Sequence, residues 1–567
     1  MRSCRCASSW NAWSAGDRGL GVGRRRLDSA SRRGCRTARP SPAASLPPVQ
    51  PVVETALGRL RGVERGGVLV FRGIPYARPP VGPLRLRAPQ PPEPWGGVRD
   101  ATRTGASAPQ PRPFHFPGPL GALLGGAVQS EDCLTLNVWT PGLDDARRPV
   151  LVWIHGGAFV IGAGTSPVYS GRRLARRGDA VVVTLNYRLG ALGFLHLGLL
   201  GAEGAEEAVN LGVQDQVAAL RFVREHAAAF GGDPQNVTIF GESAGAMSVA
   251  TLLGTPAARG AFHRVVLQSG GAHNVSGPEA AARAADAFVR AFGATRRDAV
   301  RALGSAPAEA ILEAQARAAV SLGLAHGTLP WQPAVDGRWI PRQPLEAVAA
   351  GDAAGVPMLV GTNRDEWKLF TLFDRRSRAL DAAGLRRRLA RILPGADGDG
   401  AALAERALEL YARAGAGRAA GGPLALWEAI QTDRIFRYPA ARLAELHALH
   451  EPRTYKYLFE FVPRLAPRRI GACHALEIPF VFGTLRHPLL RVLLGTGAAL
   501  ELSRAMREAW LAFAREGVPK AAALDAWPAY EPRRRATMRL GPRCGVVDAP
   551  LEAERRFWEP FLARPTA

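Results

Sequence analysis

Short apolar runs without alternation recur along the middle of the chain, at Val150–Ile154, Ala180–Leu185, Val237–Phe240, Val265–Leu267 and Val356–Val360. A strand with one wet face alternates apolar and polar residues, so runs of this kind predict strands buried on both faces. Helical text lies between them. Leu211–Phe230 sets Val213, Val217, Leu220 and Val223 on one face, and Gly231-Gly232 stops it. Strands alternating with helices predict an α/β fold: a central, mostly parallel sheet with helices on both faces.

The flanks read differently. Val53–Leu60, Gly62–Glu64 and Val68–Phe71 read as short strands of a meander, followed by a proline-rich loop and a strand at Leu134–Trp139. Residues 278–325 and 374–450 read as helical insertions forming a cap or subdomain, the second broken at Pro394–Gly400. An apolar, glycine-rich loop, Phe114–Val128, either lines the mouth of a pocket or packs on the body. Tyr455–Phe461 reads as a late strand, Leu502–Arg515 as a helix, Thr537–Leu540 and Gly545–Val547 as strands, and Leu551–Leu562 as a terminal helix.

Composition narrows the classes. The net charge of +24 invites a nucleic-acid reading, but only Lys368, Lys456 and Lys520 are lysine, and the arginines are scattered with few aromatics among them. That pattern, beside much Ala, Gly and Pro, reads as codon bias in a GC-rich genome, and no nucleic-acid partner is expected. No apolar stretch is long enough to span a bilayer, and the C-terminus lacks a hydrophobic tail, so no stable membrane association is expected. Residues 1–48 hold ten arginines and two aspartates without apolar periodicity. They read as a basic extension, disordered or mis-assigned, outside a domain of residues 49–567; they carry no h-region of a secretory signal, which predicts a cytoplasmic protein. The six cysteines have no regular spacing, so neither a disulfide framework nor a metal site is expected.

The chemistry gathers at Gly241-Glu242-Ser243-Ala244-Gly245, between the run Val237–Phe240 and a small-residue helix. A strand–turn–helix with G-x-S-x-G presents a serine hydroxyl above the sheet, and the N–H of Ala244 opens the helix toward whatever Ser243 attacks. Serine needs a base, and the base an orienting acid, with chain order Ser, acid, His in this sheet type. Of the later histidines, His447 and His450 fall on a helix face and are expected to be solvated, and His263 begins a strand. His474, in a loop before Ile478-Pro479-Phe480, is the best candidate. The acid belongs just past the strand Val356–Val360, where Asp365 and Glu366 stand side by side and the residues alone do not choose between them. His155-Gly156-Gly157-Ala158-Phe159 offers backbone N–H groups that approach a developing oxyanion closely.

Together FRGIPYARPPVGPLR, SEDCLTLNVWTP, PVLVWIHGGAFVIG, NYRLGALGF, FGGDPQNVTIFGESAGA, VVLQSGGA, GTNRDEW and GACHALEIPFVFG resemble the type-B carboxylesterases of the α/β-hydrolase superfamily, which include cholinesterases and bacterial para-nitrobenzyl esterases. The resemblance runs from about Thr55 to Trp558. It implies an α/β-hydrolase fold and a serine carboxylic-ester hydrolase acting on small to medium esters through an acyl-enzyme, with no metal or organic cofactor. By resemblance Ser243 is the nucleophile, His474 the base and Glu366 the acid. The N–H groups of Gly157, Ala158 and Ala244 form the oxyanion hole, Ser269 and Glu477 support the triad, and Arg85 and Glu131 make a structural ion pair. Cys133 lacks the upstream cysteine that secreted members pair with it, as in the cytoplasmic bacterial branch. Trp367 stands where a glycine usually follows the acid, and either narrows the pocket or packs behind the triad. The protein is expected to be a monomer. The rival readings are an adhesion or binding protein on the same fold and an interfacial lipase.

Overall fold

The non-alternating runs become the middle of one sheet. The computed structural model describes residues 50–111, 128–322, 329–393, 400–413 and 421–562. The strands in chain order are β1 (Val52–Thr55), β2 (Gly58–Arg61), β3 (Val63–Glu64), β4 (Leu69–Pro75), β5 (Val98–Asp100), β6 (Thr135–Thr140) and β7 (Arg148–Ile154). They continue as β8 (Val181–Leu185), β9 (Gly232–Glu242), β10 (Arg264–Gln268), β11 (Met358–Asn363), β12 (Thr454–Phe459), β13 (Thr537–Leu540) and β14 (Gly545–Val547). Among the described residues eleven of them form the main sheet, ordered β14-β13-β12-β11-β10-β9-β7-β8-β6-β4-β3, and β1, β2 and β5 form a small one. From β8 to β13 every pairing is parallel. The β6, β4, β3 edge and β14 pair antiparallel.

Strand periodicity explains why the central runs cannot alternate. On β7, Val150, Val152 and Ile154 enter one core with Val213, Val217 and Leu220 of helix α1 (Leu211–His226). Leu151 and Trp153 point to the opposite core, with Met506 and Trp510 of the late helix Gly497–Glu516. Both faces are dry, so both sets are apolar.

Several boundaries move. Val53–Leu60 is a hairpin and not one strand: Val53 pairs with Leu60, and Gly58 turns at φ 133°. A Cβ there would meet Trp95 at 2.6 Å. Helix α1 gives way to a tighter 3₁₀ turn, Ala227–Phe230, before Gly231 ends it at φ 74°. The late helix begins five residues earlier than expected, at Gly497, where Thr496 Oγ1 caps the N–H of Ala499 at 3.2 Å.

Among the described residues the insertions are helical at Pro278–Phe292, Ala299–Ser305 and Ala308–Ser321, and at Ala382–Ile392, Gly400–Arg413, Gly422–Thr432 and Tyr438–Ala448. Residues 1–48, 114–127 of the apolar loop and the break at 394–399 lie outside the described residues. His447, expected in solvent, is buried, because the helix Tyr438–Ala448 turns that face to the sheet; its Nδ1 lies 2.7 Å from Thr454 Oγ1. His450 is exposed beyond the helix end, with Nε2 2.8 Å from Ala349 O. Among the described residues no helix is long and apolar enough to cross a membrane.

Candidate active site

The elbow is a backbone device first. β9 ends at Glu242, helix α2 (Ala244–Leu253) begins at Ala244, and Ser243 between them takes φ 57°, ψ −126°. Such a conformation costs about 1–3 kcal/mol and persists only where the surroundings enforce it. They do: a Cβ on Gly245 would lie 2.0 Å from Ile154 O, and one on Gly241 2.5 Å from Gly245 C. Ser243 N donates to Gln268 O at 2.9 Å, and Met247 N to Ser243 O at 2.9 Å.

The loop after β7 approaches from the next strand. Gly157, Ala158 and Phe159 all take positive φ, and a Cβ on Gly157 would meet Ile161 O at 2.1 Å. Val160 N and Ile161 N close the turn on Gly157 O at 3.0 Å each. His155 anchors it, buried and stacked on Tyr187 at 4.5 Å, while Tyr187 Oη donates to His155 O at 2.8 Å. Among the described residues the N–H groups of Gly157, Ala158 and Ala244 have no backbone acceptor. They are donors available to a substrate oxygen.

Two adjacent carboxylates follow β11, and the fold separates them. Glu366 is fully buried; its Oε1 accepts from Asn363 N at 2.6 Å, and its Oε2 lies 2.7 Å from His474 Nδ1. Asp365 turns the other way, accepting from Ala472 N at 2.9 Å and Arg364 Nη2 at 2.8 Å. It ties the histidine loop to the acid loop but does not touch the imidazole. Glu477 stands behind both: its Oε2 accepts from Asn363 Nδ2 at 2.5 Å and its Oε1 from Gln268 Nε2 at 3.0 Å. Asn363 Nδ2 also donates to Cys473 O at 2.7 Å, which fixes the residue before His474.

The motif residue Glu242 is the addition that sequence reasoning missed. Its Oε1 lies 3.0 Å from His474 Nε2, an electrostatic contact off the alignment of a hydrogen bond. A glutamate at the end of a doubly buried strand is itself a signal, since a buried carboxylate needs a partner. Burial alone would push His474 down, but Glu242 and then Glu366 overcome it and hold the imidazole up at about 9. Burial pushes Glu242 up to about 8, with His474 pulling it back. Burial and then Glu366 also raise Glu477.

Ser243 Oγ forms no hydrogen bond among the described residues, and neither does the buried Ser269 Oγ. The backbone of Ser269 takes φ 54°, with its N–H on Gly361 O at 2.8 Å. The rings of Phe436 and Phe370 pack against His474 at 4.6 and 5.3 Å. Trp367 packs behind them, on Phe370 at 4.7 Å, with its N–H on Thr432 Oγ1 at 3.1 Å. Arg85 and Glu131 pair as expected through Nε and Oε2 at 2.7 Å, and Arg85 Nη1 also reaches the carbonyls of Leu303 and Ala306.

The sequence profile of the carboxylesterase family matches residues 49–558. A para-nitrobenzyl esterase of Bacillus subtilis is 40% identical over 512 residues, which cover 89% of this chain and 97% of that protein. A phenmedipham hydrolase of Pseudarthrobacter oxydans is 36% identical, over 87% of this chain and 95% of that one. Among solved structures, a Geobacillus stearothermophilus carboxylesterase superposes with a TM-score of 0.79 at 42% identity, covering 89% of this chain and 99% of its own. The chain thus belongs to the carboxylesterase family and is a carboxylic-ester hydrolase of the α/β-hydrolase fold.

Proposed function

We propose that Ser243, His474 and Glu366 hydrolyse carboxylic esters through an acyl-enzyme. The observation that carries this reading is the buried Glu366 Oε2–His474 Nδ1 contact at 2.7 Å, beside an elbow that strains Ser243. In the first step Ser243 Oγ bonds to the ester carbonyl carbon and its proton passes to His474 Nε2. The carbonyl electron pair moves onto oxygen, facing the N–H groups of Gly157, Ala158 and Ala244. Collapse breaks the bond to the leaving alkoxide, which takes the proton from Nε2 and departs as the alcohol. Water then repeats the sequence, losing a proton to His474, and releases the acid and free Ser243. Glu366 orients the imidazole and offsets its charge without taking the proton. Glu477 positions this acid loop through Asn363, and Ser269 supports it through its backbone.

Small to medium esters suit the aromatic wall of Phe370 and Phe436, and the name of the Bacillus relative points to nitrobenzyl esters. We read residues 49–567 as the catalytic domain, of which the family match covers 49–558, and the enzyme as a cytoplasmic monomer without membrane or nucleic-acid partners.

The test is turnover of para-nitrophenyl acetate and butyrate by the purified protein beside Ser243→Ala. A folded variant that loses activity by at least about 10⁴-fold is the expected result. Equal rates in both proteins would sink the assignment of Ser243.

A further inference from the structure

A cavity of about 20 Å³ lies away from the elbow, walled by β12, the π-helical turn Asp433–Arg437 and the C-terminal helix Glu552–Leu562. It has room for one particle the size of a water molecule or a halide ion. Lys456 lines it and is 8% exposed. Its ammonium lies over the Tyr530 ring at 5.8 Å, and among the described residues it makes neither a hydrogen bond nor an ion pair. Arg437 Nε, Tyr438 Oη and Tyr530 Oη, on the same wall, are buried without a protein partner among the described residues.

The carboxylates of the wall are already engaged. Asp433 pairs with Arg437 and accepts from Tyr411 Oη at 2.5 Å, and Glu554 also has a partner. Behind the wall, Glu445 meets Arg535 at 3.2 Å and Arg555 at 3.5 Å. Lysine and arginine therefore outnumber acids on the lining, four to two. Burial, then Arg437, brings Lys456 down to about 8, the behaviour of an ammonium short of a counter-charge.

We propose that this cavity binds one small monovalent anion of the halide class, held by the Lys456 ammonium, Arg437 Nε and the hydroxyls of Tyr438 and Tyr530. The two tyrosine hydroxyls accept as readily as they donate, so hydrogen bonding alone does not distinguish a water from an anion here. The excess of cations on the lining and the Lys456 ammonium, unpaired among the described residues, favour the anion. A halide accepts from all four and cancels the charge of Lys456. The site touches the catalytic loops through its wall. Arg437 Nη2 donates to Arg364 O at 2.5 Å, and Phe436 of the same turn packs on His474. Anion binding braces that turn.

The test is thermal melting of the full-length protein in sodium chloride or bromide against sodium gluconate at equal ionic strength. Halide is expected to raise Tm by about 1–3 °C, with the rise absent in Lys456→Met and reduced in Tyr530→Phe. Bromide-soaked crystals should carry an anomalous peak beside Lys456. Water alone in the cavity, with no anomalous peak, would overturn the proposal. So would the same halide effect in wild type and Tyr530→Phe, a hydroxyl deletion that decides the matter even if Lys456→Met does not fold.

Discussion

Replacing Glu242 with glutamine tests how the imidazole is tuned. Glu242 Oε1 and His474 Nε2 are 3.0 Å apart, with side chains 5% and 6% exposed. At an effective dielectric of ~20, two unit charges at that distance attract by ~332/(20 × 3.0), or ~5.5 kcal/mol, which is ~4 units of pKa. That figure is a ceiling, because Glu242 itself is pushed up to about 8 by burial and a protonated carboxyl exerts no such pull. The two protons are lost in steps that belong to the pair. A net effect of at least ~1 unit on the imidazole is expected.

The sign follows from which state Glu242 favours. Its carboxylate stabilises the imidazolium, and the general base must be neutral. Without the carboxylate, His474 gives up its proton at lower pH. In the wild type kcat/KM therefore rises toward about 9, where His474 is held, and in Glu242→Gln the acid limb moves down by at least ~1 unit. The assay is kcat/KM for para-nitrophenyl butyrate from about pH 5 to about pH 10 on both proteins, with circular dichroism melts to show that the variant is folded. An acid limb that stays in place, or moves up, would refute the electrostatic account of this contact.

Glu366→Gln should lower kcat by about 10³–10⁴-fold with the fold retained, whereas Asp365→Asn, which loses the charge that pairs with Arg364 but keeps an oxygen to accept from Ala472 N, should lower Tm and leave kcat within about tenfold. Equal losses of kcat in the two variants would contradict the separation of their roles. Burial pushes His155, His196, His273 and His447 from 6.5 down to about 4. The unfolded chain takes up these protons near 6.5 and the folded chain does not, so stability is present above 6.5 and drains away as pH falls toward about 4. His474 has the opposite sign, contributing fully below 6.5 and losing its contribution as pH rises through about 9. Urea midpoints across that acid window check this, and a flat midpoint between about pH 6.5 and about pH 4 would contradict it.

What was legible in the sequence followed the physics that repeats locally. The central strands showed because burial on both faces leaves no polar position, and the elbow showed because its serine and two glycines lie within five consecutive residues, although what crowds Gly245 is Ile154 on the neighbouring strand. The hairpin was lost because its two-residue turn, Ala56-Leu57, carries none of the Asn-Gly or Asp-Gly signals that mark such turns in sequence. His447 was placed in solvent because the helix face it occupies is decided by packing on β12, which no spacing along the helix records. The carriers of the site were legible one at a time, but the choice between Asp365 and Glu366 came from the family resemblance. Adjacent carboxylates have the same chemistry and differ only in the direction each is sent.

The residues missed were those whose partners are set by strand register. Gln268 pairs with Glu242 on one side and Gly361 on the other, so β9 and β10 end level while β11 runs on past them to Asn363. That register brings Glu242 to Nε2, and Gln268 and Asn363 to Glu477, although these residues are scattered through the chain. Among the described residues three buried carboxylates, Glu242, Glu366 and Glu477, thus surround one imidazole. A single positive charge cannot balance three negative ones in a dry site, so carboxylates here must share protons or hydrogen bonds. Glu477 takes the second course with two amide donors, and Glu242, whose Oε1 has no aligned donor, takes the first. Glu366 is the one that both accepts a backbone N–H and meets Nδ1. Of the three it alone meets Nδ1, and that contact is what supports its proposed role of holding the imidazolium as it forms.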